Sequence, residues 1–461
     1  MEKAEIYDYI IVGAGILGCA TAKYLQDEIG NNKKILLIDK YMSCGQGNTS
    51  KSNACYRNVF DTELNIKLCN SSICYYTHVE KDLGFDLGIK EFGYLWLLTE
   101  EQMNVRKEKT IFDTSGNASL SFLDFLDLQK VSYEVLSKEQ LKDIFPGLQL
   151  EGLVEGEKVS IQSGLLGVHC GSLVPDLLVK FYEEQYRKKG GVINYGWEVT
   201  DILLQEKGKS FDKDYFPTVW RNTEIAGIKV KNVKSLEEQI LLSKHVVLCT
   251  GAWVNQLIYN LGIHVGVNAK KRQLFRIKGK QNFVINSAFK NKYASIPFII
   301  LPSGGVFIKP IPQNGCVDVG CSDDIGRQFE TEPKLMEQKY DSFKNNLDNP
   351  RGELEFYQTD VLPVLKAYFP NEFNEKVLIE QPSAGMYAYS LDKFPVIAKE
   401  HNLFICTGAS GSGIMKGDAI ARINVANIVG KDTCELFDGS LIVVKDFSIH
   451  QRKVPDETLI L

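Results

Sequence analysis

The sequence predicts a fold of the α/β (α+β) class, and three observations carry that prediction. At 461 residues the chain exceeds the ~250–300 at which a single hydrophobic core stops growing, so two domains are expected. Near the N-terminus an apolar run, a glycine turn, a helical stretch and a second apolar run follow one another. Near the C-terminus an apolar run, a glycine-rich turn and a helical stretch come in the same order.

Tyr9-Ile10-Ile11-Val12 is short and rich in β-branched residues, which reads as a buried parallel strand. Gly13-Ala14-Gly15-Ile16-Leu17-Gly18 follows at once, and Leu17, Ala20, Tyr24 and Leu25 fall at helical spacing as far as about Ile29. Asn31-Asn32 breaks that helix, and Ile35-Leu36-Leu37-Ile38 forms a second strand ending at Asp39. Each part has a physical task. Gly13 permits a tight turn, Gly15 lets the backbone approach a pyrophosphate, and Gly18 allows the helix to pack closely on the strand. The helix start at Ile16 and Leu17 offers free N–H groups and a positive dipole end to phosphates. Asp39 can accept from both ribose hydroxyls, which disfavours a 2′-phosphate. This is a Rossmann-like dinucleotide site, and the motif alone does not separate FAD from NAD.

Residues 43–53 are dense in glycine, hydroxyl and amide side chains and open into a helical stretch at about 63–79. Such a loop exposes backbone N–H groups and small donors that suit a pyrophosphate or a flavin ring. Ser50, Lys51 and Ser52 are its candidate contacts, and Lys40 follows the second strand directly. Leu403-Phe404-Ile405-Cys406 reads as a buried strand, residues 408–413 as a turn with three glycines, and 414–428 as a helix. A helix start there directs its positive end at negative charge on a flavin pyrimidine. Gly411, Ser412, Gly413, Ile414 and Met415 are the contacts this implies.

Composition excludes several classes. The 53 Lys+Arg against 58 Asp+Glu leave a net charge of −5, without the basic excess of a dedicated nucleic-acid binder. The longest stretches free of charge, 159–175 and 293–308, are too short for a spanning helix and are diluted by Gly, Ser and Pro. No secretory leader is expected, because the first apolar run follows an acidic start and reads as a strand. The eleven Cys are scattered without a C-x-x-C, which points to reduced thiols in a cytoplasmic protein, with neither a disulfide framework nor a metal site.

Further segments fall in a familiar order. Lys51-Ser52-Asn53-Ala54-Cys55-Tyr56-Arg57-Asn58-Val59-Phe60 puts an Arg before an aromatic, and Gly93-Tyr94-Leu95-Trp96-Leu97 reads as a strand. Leu173-Val174-Pro175 begins a helix ending at Gly190-Gly191-Val192, with Glu198-Val199-Thr200 beyond it. Val246-Val247-Leu248-Cys249-Thr250-Gly251-Ala252-Trp253 and Asp392-Lys393-Phe394-Pro395-Val396-Ile397 complete the set. From about residue 8 to 430 the chain resembles the D-amino-acid-oxidase-like superfamily of FAD-dependent oxidoreductases, particularly its sarcosine and dimethylglycine dehydrogenase branch. The resemblance implies a Rossmann-like FAD-binding domain at 1–92, 151–268 and 356–435. Interleaved with it is a substrate domain at 93–150 and 269–355, built on a mixed, largely antiparallel sheet with strands near 298–301, 306–309 and 316–320. Residues 436–461 form a C-terminal extension, whose run at 441–447 suits an extra strand or an oligomer contact. Segments 100–119, 207–216 and 330–349 read as insertions or surface helices.

The resemblance also implies FAD contacts at Val199, Thr250, Gly251, Trp253 and Gly385. No His lies between Asp39 and Tyr76 and Cys406 reads as core, so FAD is expected to be non-covalent. The branch's sarcosine-specific Lys aligns with Met415 and not with Lys416, which leaves the substrate open.

The activity implied is hydride transfer to flavin N5 from the alpha carbon of a small amino acid, N-methylated amino acid or related carboxylate. Arg57 matches the superfamily's Arg near the flavin and is the first candidate to hold a carboxylate, with a structural ion pair as its alternative. Residues 270–280 hold six cations. As a strand they put Arg272, Arg276, Lys278 and Lys280 on one face, expected to be solvated, and Lys271, Gln273, Phe275 and Ile277 on the other. The resemblance makes Arg272 and Gln273 further candidates. Tyr387 and Tyr389 follow Gly385, and only one of the two is expected to face the flavin. His169 reads as structural. Competing readings are a 2-hydroxy-acid or glycerol-phosphate dehydrogenase of the same superfamily and a non-catalytic flavin-binding assembly factor. An NAD dehydrogenase is disfavoured because its nicotinamide half-site has no need of the turn at 408–413. The electron acceptor stays open, and a homo-oligomer is compatible with the sequence.

Overall fold

The computed structural model describes residues 6–108, 111–112, 119–154, 156–215, 220–285, 293, 295–321, 349–374, 376–380 and 382–455. Two eight-stranded sheets organise them. In the first, strand Ile6–Val12 lies parallel between Ile35–Asp39 and Glu238–Leu248, with Ile10 opposite both Leu36 and Val246. Val192–Tyr195 extends the sheet beyond Ile35–Asp39. On the other side the long Glu238–Leu248 strand serves two neighbours. Its start pairs antiparallel with Thr223–Asn232, which in turn carries Trp197–Glu206, and its end pairs parallel with Leu403–Thr407.

The β-branched runs read from the sequence are buried on both faces, as a parallel sheet requires. Ile10, Ile11, Leu36 and Leu37 have no exposure. Helices Ile16–Ile29, Glu63–Lys81, Pro175–Lys188 and Gly413–Ile428 share one core against the sheet through residues such as Leu25, Tyr76, Tyr182 and Ile420. The opposite face packs on Ile202, Ile228, Val230 and Val254. Truncating a side chain such as Leu37 to Ala costs about 2–5 kcal/mol.

The second sheet runs in the order Ser383–Ser390, Val267–Ile277, Cys316–Gly320, Phe307–Ile311, Phe298–Ile300, Tyr94–Leu98, Ser163–Gly167 and Tyr133–Leu136. Every pair is antiparallel except Phe298–Ile300 with Tyr94–Leu98. It is a mixed, largely antiparallel sheet, and the three strands expected near 298–320 are among its members.

Some expected divisions shift. Residues 163–167 and 383–390, assigned from the sequence to the first domain, carry strands of the second sheet. Helices Leu354–Phe356 and Leu362–Tyr368 likewise bury Phe356, Leu365 and Tyr368 in the second sheet's core. The chain thus crosses between the layers more often than family spacing suggested. Segment 100–119 begins with the helix Glu100–Glu108, and 207–215 forms turns. The expectation for 330–349 falls, apart from residue 349, outside the described residues.

The C-terminal run turns inward. Leu441–Val443 pairs with Thr433–Glu435, a short turn Val444–Phe447 follows, and Ile442, Val444 and Phe447 are buried in the helical core of the first sheet. Beyond it Arg452 grips the turn before Val396–Glu400. Its Nη2 donates to Asp392 Oδ1 at 2.6 Å and to the Phe394 carbonyl at 2.9 Å, while Nη1 reaches the Pro395 and Phe447 carbonyls at 3.1 and 2.9 Å. Among the described residues no helix is long and apolar enough to cross a membrane.

Candidate active site

A cleft with an open volume of about 1250 Å³ runs along the C-terminal ends of the parallel strands, where ligands of such sheets are expected. Its floor is backbone. Gly13 sits at φ +100°, and a Cβ there would lie 2.7 Å from the Cys249 carbonyl oxygen. A Cβ on Gly18 would fall 1.7 Å from the Gly13 oxygen, so helix and turn close only around glycine. The Ala14 and Tyr41 N–H groups donate to Asp39 Oδ2 and Oδ1 at 2.6 and 2.8 Å. Burial pushes the Asp39 carboxyl above the usual range, and those two donors oppose it.

Of the expected contacts, Gly13, Gly15, Ile16, Leu17, Asp39 and Lys40 line the cleft from the first unit. Ser52 lines it from the loop at 43–53, Val199, Thr250, Gly251 and Trp253 from the middle of the chain, and Gly411, Gly413, Ile414 and Tyr387 from the C-terminal part. The Lys40 ammonium lies 4.8 Å from the Trp253 ring centroid, within cation–π range.

Six expected contacts lie elsewhere. Gly18 is packed under the turn, and Ser50 is exposed. A Cβ on Gly385 would meet Lys51 Cβ at 3.3 Å, so this glycine serves a strand–loop approach. Ser412 precedes the first residue of the helix, and Met415 points into an aromatic cluster with Tyr94 and Trp96. Lys51 lines a separate cavity.

Sequence reasoning named the loop at 43–53 but missed its decisive members. Thr49 Oγ1 accepts from the Ile16 N–H at 3.2 Å, and Asn48 Oδ1 accepts from the Met386 N–H at 2.8 Å. The loop has no periodicity, so nothing in it marks which residue faces the cleft. Cys249, quoted within its turn but not as a contact, also lines the cleft, as do Met386 and Ala388, which carried no signal.

The second cavity is small and built from side chains: Arg272, Gln273 and Leu274 on one strand, Tyr387 and Tyr389 on its neighbour, with Lys51, Asn53, Phe307 and Cys321. Arg272 Nη2 donates to Tyr389 Oη at 3.2 Å, and the guanidinium carbon lies 5.8 and 5.4 Å from the Tyr387 and Tyr389 ring centroids. Both tyrosines line this cavity, and of the two only Tyr387 also lines the cofactor cleft. Residues i and i+2 of a strand share a face, and their rings stand 6.0 Å apart. Burial pushes the Tyr389 phenol up to about 12 and the Tyr387 phenol above its ordinary value, with Arg272 opposing both.

Of the cation face expected to be solvated, Arg272 instead lines this cavity, whereas Lys278 is exposed and the half-exposed Arg276 makes a two-pronged pair with Asp318 at 2.7 and 2.9 Å. Their partners come from strands distant in sequence. Arg57 lines neither cavity. It is 3% exposed, donates through Nη1 to the Val59 carbonyl and lies 4.1 Å from the Phe60 ring centroid. His169 is exposed beside Glu91, at 3.2 Å. Cys406 is buried within its strand, as expected.

The family profile described as DAO, FAD dependent oxidoreductase, matches residues 8–426. The chain belongs to this family of FAD dependent oxidoreductases. FAD is therefore the cofactor, and the residues of the cleft fit that group. Gly13, Gly15 and Gly251 leave its lining bare of side chains, two helices begin on it, and Thr250 Oγ1 is buried there without a hydrogen-bond partner among the described residues. The chain is 22% identical over 432 residues to FAD-dependent oxidoreductase domain-containing protein 1 of Xenopus laevis, covering 91% of this chain and 78% of that one. It is 25% identical over 264 residues to peroxisomal sarcosine oxidase of Homo sapiens, covering 57% of this chain and 55% of that protein. Similar folds occur in L-proline dehydrogenase from P. horikoshii, with TM-score 0.64, 20% identity and coverages of 93% and 95%. They occur also in L-amino acid deaminase from Proteus vulgaris, with TM-score 0.67, 16% identity and coverages of 94% and 96%.

Proposed function

We propose that this FAD-dependent oxidoreductase oxidises a small amino acid or N-methylated amino acid held by its carboxylate on Arg272. One observation carries the reading: Tyr387 lines both the cofactor cleft and the Arg272 cavity, so the cation stands one ring away from the cofactor. Relatives named as sarcosine oxidases, and folds named as proline dehydrogenase and glycine oxidase, support that substrate class.

FAD bound in the cleft supplies the two-electron acceptor. The chain's residues supply position and electrostatics. Arg272 presents a planar fork suited to a carboxylate, and its Nη2 bond to Tyr389 fixes that fork in place. The buried phenols of Tyr387 and Tyr389 keep their protons through neutral pH and act as donors. Asn53 Oδ1 is buried on this cavity without a partner among the described residues, an acceptor for a substrate N–H. Leu274 and Phe307 close the apolar side against water. Arg57, held between Val59 and Phe60, shapes the loop and does not hold the substrate.

Anaerobic mixing of the purified flavoprotein with a panel of amino, N-methylamino and 2-hydroxy acids tests the reading. Bleaching of the flavin band near ~450 nm by amino or N-methylamino acids supports it. Bleaching by hydroxy acids alone, or by none of the panel, rejects it.

A further inference from the structure

We propose that Asp418 is a positioning residue that sets the spacing of the two helix starts on the cofactor cleft, and thereby how firmly the whole of FAD is held. The inference rests on the cofactor and not on the substrate reading above. Two helices begin on the cleft: Ile16–Ile29, through Ile16 and Leu17, and Gly413–Ile428, through Gly413 and Ile414. About one turn into the second helix lies Asp418, 0% exposed.

Three donors converge on its carboxylate. Tyr182 Oη reaches Oδ1 at 2.7 Å, Arg422 Nε reaches Oδ2 at 2.6 Å, and Tyr24 Oη donates to Oδ1. Tyr24 belongs to the first helix, and Arg422 Nη2 donates to its oxygen at 2.7 Å. The backbone is held as well. The Asp418 N–H donates to Tyr76 Oη at 3.2 Å, and that hydroxyl donates to the Ile414 carbonyl at 2.8 Å, at the residue that lines the cleft. Farther along the same helix pair, Asn424 Nδ2 donates to Thr21 Oγ1 at 3.2 Å.

A charge buried without partners costs far more than the helix contact needs, so this carboxylate is stable only where all its donors meet. An apolar helix interface tolerates sliding, whereas convergent directional bonds fix one register. Asp418, Tyr24, Tyr182 and Arg422 line neither the cleft nor the second cavity. They act through the helices they join. The first helix start would hold the pyrophosphate half of FAD and the second lines the cleft as well, so their spacing would matter to FAD and not to a ligand that meets only the first.

ADP is such a ligand, since it carries the pyrophosphate and lacks the isoalloxazine. The test is Asp418→Asn in the full-length chain. FAD release from the holoprotein is followed as recovery of flavin fluorescence, and ADP affinity of the flavin-stripped full chain by calorimetry. Losing charge-assisted bonds at the junction is expected to speed FAD release about tenfold while ADP affinity stays within about twofold. Tyr182→Phe removes one donor without touching charge and is expected to give the same split at about threefold; it decides the matter if Asp418→Asn does not fold. Equal loss for FAD and ADP in either variant, or no change in either ligand, overturns the proposal. Wild-type binding of FAD checks the premise separately.

Discussion

The cofactor cleft and the Arg272 cavity share a tyrosine and are made in opposite ways. The cleft is a backbone construction: glycines at 13, 15 and 18, two helix starts, and a carboxylate held by two N–H groups. The cavity is a side-chain construction, with a cation and two phenols from neighbouring antiparallel strands joined across Arg272 and Gly385. A backbone site admits almost no change, because atoms of the chain itself occupy the space a side chain would need. A side-chain site can be rebuilt residue by residue on the same sheet. The difference separates what the family holds in common from what each member can vary.

The sharpest way to break the contrast is Gly18→Ala. A Cβ 1.7 Å from the Gly13 oxygen cannot be accommodated without moving the turn, so the protein is expected to be recovered without flavin absorbance near ~450 nm. Retention of FAD would mean that the cleft is softer than its backbone geometry requires. Arg272→Ala is expected to keep FAD and lower kcat/KM for carboxylate substrates about a hundred- to a thousandfold, read by steady-state kinetics. Unchanged kinetics would remove Arg272 from the clamp. Tyr389→Phe deletes the hydroxyl that braces Arg272 and should cost about three- to tenfold in kcat/KM with FAD content unchanged.

The smallest effect concerns the C-terminal clip. Burial pushes the Asp392 carboxyl up, but Arg452 and the Phe394 N–H outweigh burial and hold it below its ordinary value. A depressed carboxyl adds stability above its unfolded pKa, and that stability is lost as pH falls through the lower folded value. Below about pH 4 the Tm advantage of wild type over Arg452→Ala should therefore shrink. A constant difference across that range would show that the carbonyl contacts alone hold the tail.

What could be read in advance follows the same division. The unit from Tyr9 to Asp39 was legible because glycine at fixed offsets has few other uses, and the helix at 413–428 because its strand and turn precede it. The clamp proposed here was not. Arg57 fitted a pattern by its place in sequence, but its surroundings at Val59 and Phe60 close it off. Arg272 lay in a run whose composition suggested solvent, and Tyr389, which braces it in the cavity, stands 117 positions away. In the polar loop, Ser50 and Lys51 were named beside the cleft-lining Ser52, where Asn48 and Thr49 make the tying bonds.

The ring shared between the two chambers has a thermodynamic consequence. A side chain touched on one side by cofactor and on the other by substrate couples the two binding equilibria, and such coupling is reciprocal. Whatever factor a bound carboxylate adds to the affinity for FAD, FAD must add to the affinity for that carboxylate. Gly411 is drawn into the same balance, since a Cβ there would lie 2.7 Å from the Tyr387 ring. Substitutions at 387 and 411 should accordingly be non-additive, and the size of that departure measures how closely the chambers communicate.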